Sequence, residues 1–244
     1  MKIFERKVLE VVKNIKKGSF KTYKEVAKLA GKGVTTKMVT NILNKNKHKN
    51  IPIHRVVKSD YTIGKYPSSW KKLALLLKEG VIAVMPTDTI YGICGSALNK
   101  LTVEKIYKIR KRSPNKPMII LISRLKDLKV FGINPTRREI NFLKKVWPGK
   151  ISVILNIKNK NSINKFKYLH RGTNSLAFRL PKPKWLRNVL KISGPIVAPS
   201  ANWESYTPAK NIKEAKKYFG KKVVYYNGGN RIGEPSILIR ILRI

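Results

Sequence analysis

One cysteine, Cys94, and three histidines are all that 244 residues offer to a soft metal. An intrachain disulfide and a multi-cysteine zinc site are therefore excluded, and the usage fits a reducing compartment. Carboxylates are scarce too: 12 Asp+Glu against 54 Lys+Arg give a formal net charge of +42. That imbalance favours phosphate-bearing partners over cations. It singles out no one region, since residues 1–67 carry 17 basic and 4 acidic residues and residues 68–244 carry 37 and 8. No apolar run approaches the roughly 18 residues of a membrane span, and the first apolar stretch is broken by Lys and Glu instead of forming a signal core. The chain reads as soluble and cytoplasmic, with no membrane partner. It has no Walker A run, no GxGxxG, no Cys/His cluster and no Ser-His-Asp set. Any phosphate must then be held by side chains and loop amides, and no protein-bound metal is expected.

With 42% hydrophobic residues the chain can still bury a real core. Its organising stretch is Pro86-Thr87-Asp88-Thr89-Ile90-Tyr91-Gly92, directly after the apolar run Val81-Ile82-Ala83-Val84-Met85. The run, entered through Gly80, predicts a buried strand. The polar heptad then lies at its carboxyl end, where ligands bind in open α/β sheets. Three hydroxyls and a carboxylate within seven residues suit a small polar molecule; a plain hydrogen-bonded turn is the alternative.

In residues 1–66, Phe4, Val8, Val11, Val12 and Ile15 mark one face of a helix that stops at Gly18. Thr22-Tyr23-Lys24-Glu25 has capping-box spacing before a second helix ending at Gly31, and a third starts near Thr35 or Thr36. Ile51–Val57 reads as a strand, Lys58-Ser59-Asp60 as a turn and Tyr61–Tyr66 as a return strand, which together make a winged helix-turn-helix. Thr36, Lys37 and Thr40 would face outward, toward groove edges and phosphates or simply toward solvent.

These residues, above all Ile51-Pro52-Ile53-His54-Arg55-Val56-Val57 with Gly64 and Tyr66, resemble the DNA-binding domain of the alkylguanine-DNA alkyltransferases and their alkyltransferase-like relatives. The resemblance implies double-stranded DNA as a partner, with Tyr23, Thr36, Lys37, Ile53 and Arg55 at the interface. Ile53 occupies the alkyltransferases' acceptor-cysteine position, and a hydrocarbon has no nucleophilic atom, so no alkyl transfer is expected. Lys37 takes the place of the arginine that fills the gap left by a flipped base, and Tyr61 and Lys65 replace glycines of the pattern.

Pro67-Ser68-Ser69 reads as a linker, with Ser69 capping a helix that contains Trp70, Leu73 and Leu77. From there to residue 244 strands and helices alternate, predicting a twisted, mixed α/β sheet with flanking helices; the Asn/Lys-rich stretch 158–170 reads as a mobile loop. Polar clusters stand at element ends: the heptad, Arg110-Lys111-Arg112-Ser113-Pro114-Asn115-Lys116-Pro117, Ser175-Leu176-Ala177-Phe178-Arg179, Ala198-Pro199-Ser200-Ala201-Asn202, and Gly233-Glu234-Pro235-Ser236. Cations, hydroxyls and one amide point to nucleotide binding rather than hydrolysis by a protein nucleophile.

In this order, and with Trp147-Pro148-Gly149 between them, the clusters resemble the YrdC-like threonylcarbamoyl-AMP synthases over about 70–242. The resemblance implies a YrdC-like fold that joins L-threonine, bicarbonate and ATP, with magnesium on the ATP, and that works with the tRNA-modification machinery. By the same resemblance Arg112 and Lys116 would neutralise the phosphates. Thr87, Thr89, Tyr91 and Ser152 would form the threonine and carbamate pocket, Ser175, Arg179, Ser200 and Asn202 would hold the nucleotide and acyl group, and Ser236 would close the site. Arg110 stands for a lysine of the pattern, Ile237 for a threonine and Ser205 for a glycine. The different-class alternative is a non-catalytic protein that binds alkylated DNA or RNA.

Overall fold

The computed structural model describes residues 3–48 and 50–241. Near the amino terminus, α1 (Ile3–Lys13), α2 (Tyr23–Ala30) and α3 (Thr36–Lys45) pack around Val8, Val12, Val26 and Val39, all fully buried. The expected capping box is present: Thr22 Oγ1 accepts from the Glu25 amide, and the Glu25 carboxylate accepts from the Thr22 amide. Thr35 caps α3 through the Met38 amide.

The hairpin expected over 51–66 is much reduced. Ile53–Arg55 form a single 3₁₀ turn after Pro52, which has no N–H to give a ladder. Only β2 (Val56–Val57) is extended, and it pairs in parallel with β1 (Lys21–Thr22). Tyr61 adopts φ 67°, so the left-handed backbone of the replaced glycine is kept at some steric cost. Ser205, another of the three glycine replacements, has φ 68°, whereas Lys65 is not in the left-handed region.

The rest of the chain builds one eight-stranded sheet. In chain order come α4 (Trp70–Lys78), β3 (Ala83–Pro86), β4 (Tyr91–Ser96), α5 (Lys100–Arg110), β5 (Ile120–Leu121), a 3₁₀ stretch Leu125–Phe131, α6 (Arg137–Val146) and β6 (Ile151–Asn156). They are followed by α7 (Lys160–Lys165), α8 (Lys167–His170), β7 (Ser175–Arg179), α9 (Lys184–Ser193), β8 (Ile196–Val197), α10 (Ile212–Phe219), β9 (Val224–Tyr225) and β10 (Ile237–Arg240). Sheet order is β10-β6-β7-β5-β8-β4-β3-β9, and the sheet is mixed as expected. β4 was not foreseen. It returns antiparallel to β3 in the register Met85↔Gly92, so residues 87–90 of the heptad are the turn of a hairpin.

The stretch 158–170 is not a loop either, because α7 and α8 drive Phe166, Leu169 and His170 into the core while their lysines stay outside. Phe166 packs at 5.1 Å from Phe131. Such burial is worth roughly 2 kcal/mol per large apolar side chain, enough to order a polar-looking segment.

Helix α4 buries Leu73, Ala74, Leu76 and Leu77 against α9 and the sheet. Ser69 precedes it without making a side-chain cap, its ψ of 18° lying outside the extended geometry a cap requires. The same helix is tied to the amino-terminal unit. Glu79 receives Arg55 through Nε at 2.7 Å and Nη2 at 2.8 Å, and lies 3.0 Å from His54 Nε2. Lys72 donates to the Val56 carbonyl, and burial, with Lys58 nearby, pushes its ammonium down to about 8. Residues 67–69 are likewise held, with Tyr226 Oη donating to the Pro67 carbonyl at 2.7 Å. No helix among the described residues is long and apolar enough to cross a membrane.

Burial would raise the Glu79 carboxyl, yet the hydrogen bonds and charge of Arg55, with His54 3.0 Å away, outweigh it and leave the pKa below the ordinary 4.5. A depressed carboxylate contributes stability at pH values above 4.5 that is lost as pH falls through the folded-state value. Acid titration of the amino-terminal helices by circular dichroism should show unfolding that begins below that value. Glu79→Gln should be less stable at pH 7 by about 1–3 kcal/mol and flatter in its acid dependence.

Candidate active site

The heptad turn between β3 and β4 is built from its own hydroxyls. Thr87 Oγ1 donates to the Ile90 carbonyl at 2.7 Å, accepts from the Thr89 amide, and lies 3.0 Å from Thr89 Oγ1. Gly92 sits in a close space, where a Cβ would meet Thr87, Cys94 and the Pro199 carbonyl at 3.2–3.3 Å. Asp88 carries the turn across the sheet to Arg179 on β7, although β5 and β8 lie between β7 and β4. One Asp88 oxygen accepts from Arg179 Nη2 at 2.9 Å and Nε at 3.2 Å, and the two side chains are 2% and 3% exposed. The other, Oδ2, is buried with no partner among the described residues. Arg179 also donates to Ser152 Oγ at 3.4 Å, and Ser152 meets Ser236 at 2.8 Å.

A cavity of about 280 Å³ opens beside this turn. Thr87, Thr89, Tyr91, Arg110, Arg112, Arg179, Ser200 and Ser236 line it, with Pro117, Met118, Pro199 and Pro235 as apolar wall. Arg110, at the end of α5, is 2% exposed. Its Nε donates to the Asn202 carbonyl, and its Nη2 to Asn202 Oδ1 and Ser200 Oγ, at 3.1–3.2 Å. Nη1 is buried without a partner among the described residues. Burial, with Arg112 next to it, pushes the Arg110 guanidinium down to about 10, so it is still a cation at neutral pH. Arg112 folds its own turn by donating to the Lys116 and Pro117 carbonyls at 3.0 Å.

Four expected site residues fall outside the cavity lining. Lys116 is at the rim, 62% exposed and 2.9 Å from Glu204. Asn202 directs its amide N–H groups to the Trp203 and Tyr206 carbonyls and its oxygens to Arg110, so it orients the arginine. Ser152 is fully buried behind Ser236. Ser175 shares a face with Arg179 but stands at the opposite end of β7, its hydroxyl on Thr173. Strand alternation gave the right face there and no measure of how far along the strand the cavity reaches.

In the amino-terminal unit, Thr36 and Lys37 are exposed on α3 and Ile53 is 39% exposed at the 3₁₀ turn. Tyr23 is half-buried, with the Lys72 ammonium over its ring at 5.8 Å. Arg55 is not free for a phosphate: its fork grips Glu79 and its Nη1 donates to the Ile15 carbonyl at 2.6 Å. A guanidinium matches a carboxylate with two parallel bonds, and Glu79 supplies one at helix-packing distance.

The sequence profile of the Sua5/YciO/YrdC family, described as telomere recombination, matches residues 75–243. The chain belongs to this family. The profile of the 6-O-methylguanine DNA methyltransferase DNA-binding domain matches residues 3–81, so the two matches overlap in the second half of α4 and the turn after it. Ahead of its Sua5/YciO/YrdC portion the chain thus carries an alkyltransferase-like DNA-binding fold, with Ile53 where the acceptor cysteine is found. The threonylcarbamoyl-AMP synthase of Bacillus subtilis is 31% identical over 169 residues, covering 68% of this chain and 48% of the relative. A putative threonylcarbamoyl-AMP synthase of Methanocaldococcus jannaschii is 30% identical over 177 residues, covering 70% and 81%. The structure of a doubly substituted Sua5 from P. abyssi superposes with a TM-score of 0.65 at 25% identity, over 72% of this chain and 51% of that one. The chain spans about half the length of the B. subtilis and P. abyssi relatives it matches.

Asp88 and Glu204 were missed as working parts. Both could have been suspected, because acids are so few that one within a polar cluster needs a basic partner. Asp88→Asn should leave Arg179 buried and uncompensated, costing about 3–5 kcal/mol in urea unfolding, whereas the double variant Asp88→Asn/Arg179→Met should cost less than Asp88→Asn alone.

Proposed function

We propose that the cavity condenses L-threonine, bicarbonate and ATP into threonylcarbamoyl-AMP and pyrophosphate, for modification of tRNA. The observation that carries the reading is the pair Arg110 and Arg112 lining the same cavity as the Thr87 and Thr89 hydroxyls, with one Arg110 nitrogen buried and unpartnered. A buried guanidinium N–H without an acceptor is costly, and an anion seated in the cavity would supply one. Among anionic substrates, the names of the relatives support threonylcarbamoyl-AMP chemistry.

In this reading Thr87, Thr89 and Tyr91 shape the pocket for threonine and its carbamate. Arg110 and Arg112 hold the triphosphate, Arg179, Ser200 and Ser236 contact nucleotide or acyl group, and Asn202, Lys116 and Ser152 support them from behind or from the rim. Magnesium enters as part of the MgATP substrate. The threonine amine forms a bond to the bicarbonate carbon, a C–O bond there breaks and water leaves, which gives a carbamate. One carbamate oxygen then attacks the α-phosphorus in line, and the bond to pyrophosphate breaks. The protein's part is positioning and stabilisation of charge on the leaving group, with no covalent nucleophile.

The division of labour falls between residues 70–244 for this chemistry and residues 1–66 for duplex DNA, which Thr36 and Lys37 would meet on exposed α3. Cys94 is buried with its thiol pushed up to about 12 by burial, and has no part in either task.

With purified protein, MgATP and bicarbonate, pyrophosphate release should require L-threonine. Arg112→Ala should lower kcat by about 100-fold, the size of losing one donor to developing charge; release that ignores threonine would overturn the reading. For the amino-terminal unit, Lys37→Ala should weaken duplex binding equally across sequences and flatten the plot of log affinity against log salt by about one unit.

A further inference from the structure

Residues 227–236 run from β9 to β10 as a strap without regular structure, crossing the heptad turn before delivering Pro235 and Ser236 to the cavity. Its passage is close: a Cβ on Gly233 would come within 2.7 Å of the Thr89 carbonyl oxygen. Four of its anchors lie within the Sua5/YciO/YrdC portion, one of them Asn230, whose Oδ1 accepts from Asn211 Nδ2 at 3.0 Å. Tyr91 Oη accepts from the Gly228 amide at 2.8 Å and donates to the Gly229 carbonyl at 2.9 Å. The Arg231 amide donates to the Lys210 carbonyl at 2.7 Å. Ser236 meets Ser152 at the far end.

A fifth anchor comes from the other unit. Arg231 Nη2 donates to Tyr66 Oη at 3.0 Å, with the guanidinium 5.5 Å from the centre of the tyrosine ring. Among the described residues Arg231 Nε is buried without a partner, and the hydroxyl of Tyr66 is the side-chain group that the guanidinium bonds. Tyr66 is itself well held. Its ring stands edge-on to Trp185 at 5.3 Å and to Tyr226 at 5.4 Å. The segment leading to it lies along β9, with the Ile63 amide donating to the Tyr225 carbonyl and the Tyr225 amide to the Tyr61 carbonyl, both at 2.9 Å.

We propose that Tyr66 is a positioning residue for the cavity, acting through Arg231 on the strap so that the amino-terminal unit sets how well Pro235 and Ser236 meet the substrate. The proposal rests on the reading of the cavity as a synthase site. It goes beyond that reading by giving residues near the unit boundary a task in substrate binding. The strap supplies wall to the cavity and none of the cations that meet charge developing on the leaving group. Loosening it should therefore weaken binding more than it slows the chemical step.

Two measurements on the full chain test this. In Tyr66→Phe, which keeps the ring and removes only the hydroxyl, amide hydrogen exchange across 227–236 should rise while that of α9 stays as it was. KM for MgATP should rise about tenfold with kcat changed less than about twofold, the scale of one lost hydrogen bond to a charged group. Arg231→Gln, at the other end of the bond, should reproduce both effects. It decides the matter if Tyr66→Phe proves poorly folded. Unchanged exchange and unchanged KM in a folded variant would overturn the proposal, as would a fall in kcat alone. If the wild-type protein shows no threonine-dependent turnover, the synthase reading fails, and the exchange measurement still decides whether Tyr66 holds the strap.

Discussion

The buried ion pair between Asp88 and Arg179 shapes everything around the cavity. Without it a hairpin turn of polar residues would project into water. With it, the turn is drawn over the sheet so that the Thr87 and Thr89 hydroxyls face inward and Ser152 and Ser236 are gathered beside the same guanidinium. Taking two charges out of water costs several kcal/mol per ion, and attraction offsets it only when further hydrogen bonds complete the geometry. Here Ser152 and Thr89 supply them on the arginine side. On the carboxylate side one Asp88 oxygen remains unpartnered, so the compensation there is incomplete.

A chain with 54 basic and 12 acidic residues has few carboxylates to place in this way. They are concentrated where geometry matters. Glu79 joins His54 and Arg55 to α4, Glu204 braces the Ser113–Lys116 turn, Glu104 meets Arg171, and Glu25 and Glu139 cap helices. Among the described residues Arg110 and Arg112 have no carboxylate bonded to them and turn to carbonyls, an amide and a hydroxyl instead. Their positive charge is left for whatever enters the cavity, which is how a basic protein without a glycine-rich phosphate loop can build an anion site.

Much of this was legible in the residues. The heptad, the Arg110–Arg112 turn and the Ser200–Asn202 turn announced themselves because polar clusters between apolar runs mark element ends. Distances along and across the sheet were not legible. Ser175 looked equivalent to Arg179 by alternation, yet the cavity ends before it. Tyr91–Ser96 was passed over as a strand because two glycines dilute its apolar pattern, and that hid the hairpin. Arg55 read as a DNA contact until Glu79, 24 residues on, was seen to hold it. The expected return strand at 61–66 failed for a related reason: the pairing partner of Thr62 is Tyr225, far along the chain.

That last pairing also fixes an order of events during synthesis. β9 would be the open edge of the eight-stranded sheet, and residues 61–63 cover it; the Pro67 carbonyl likewise waits for the hydroxyl of Tyr226, 159 residues later. As the chain leaves the ribosome, the three amino-terminal helices can collapse early on their own contacts, but the stretch that follows them must remain unmatched until most of the sheet has been translated. The junction is therefore among the last parts of the molecule to be completed, and a nascent chain would carry an uncovered strand-forming segment for most of its synthesis.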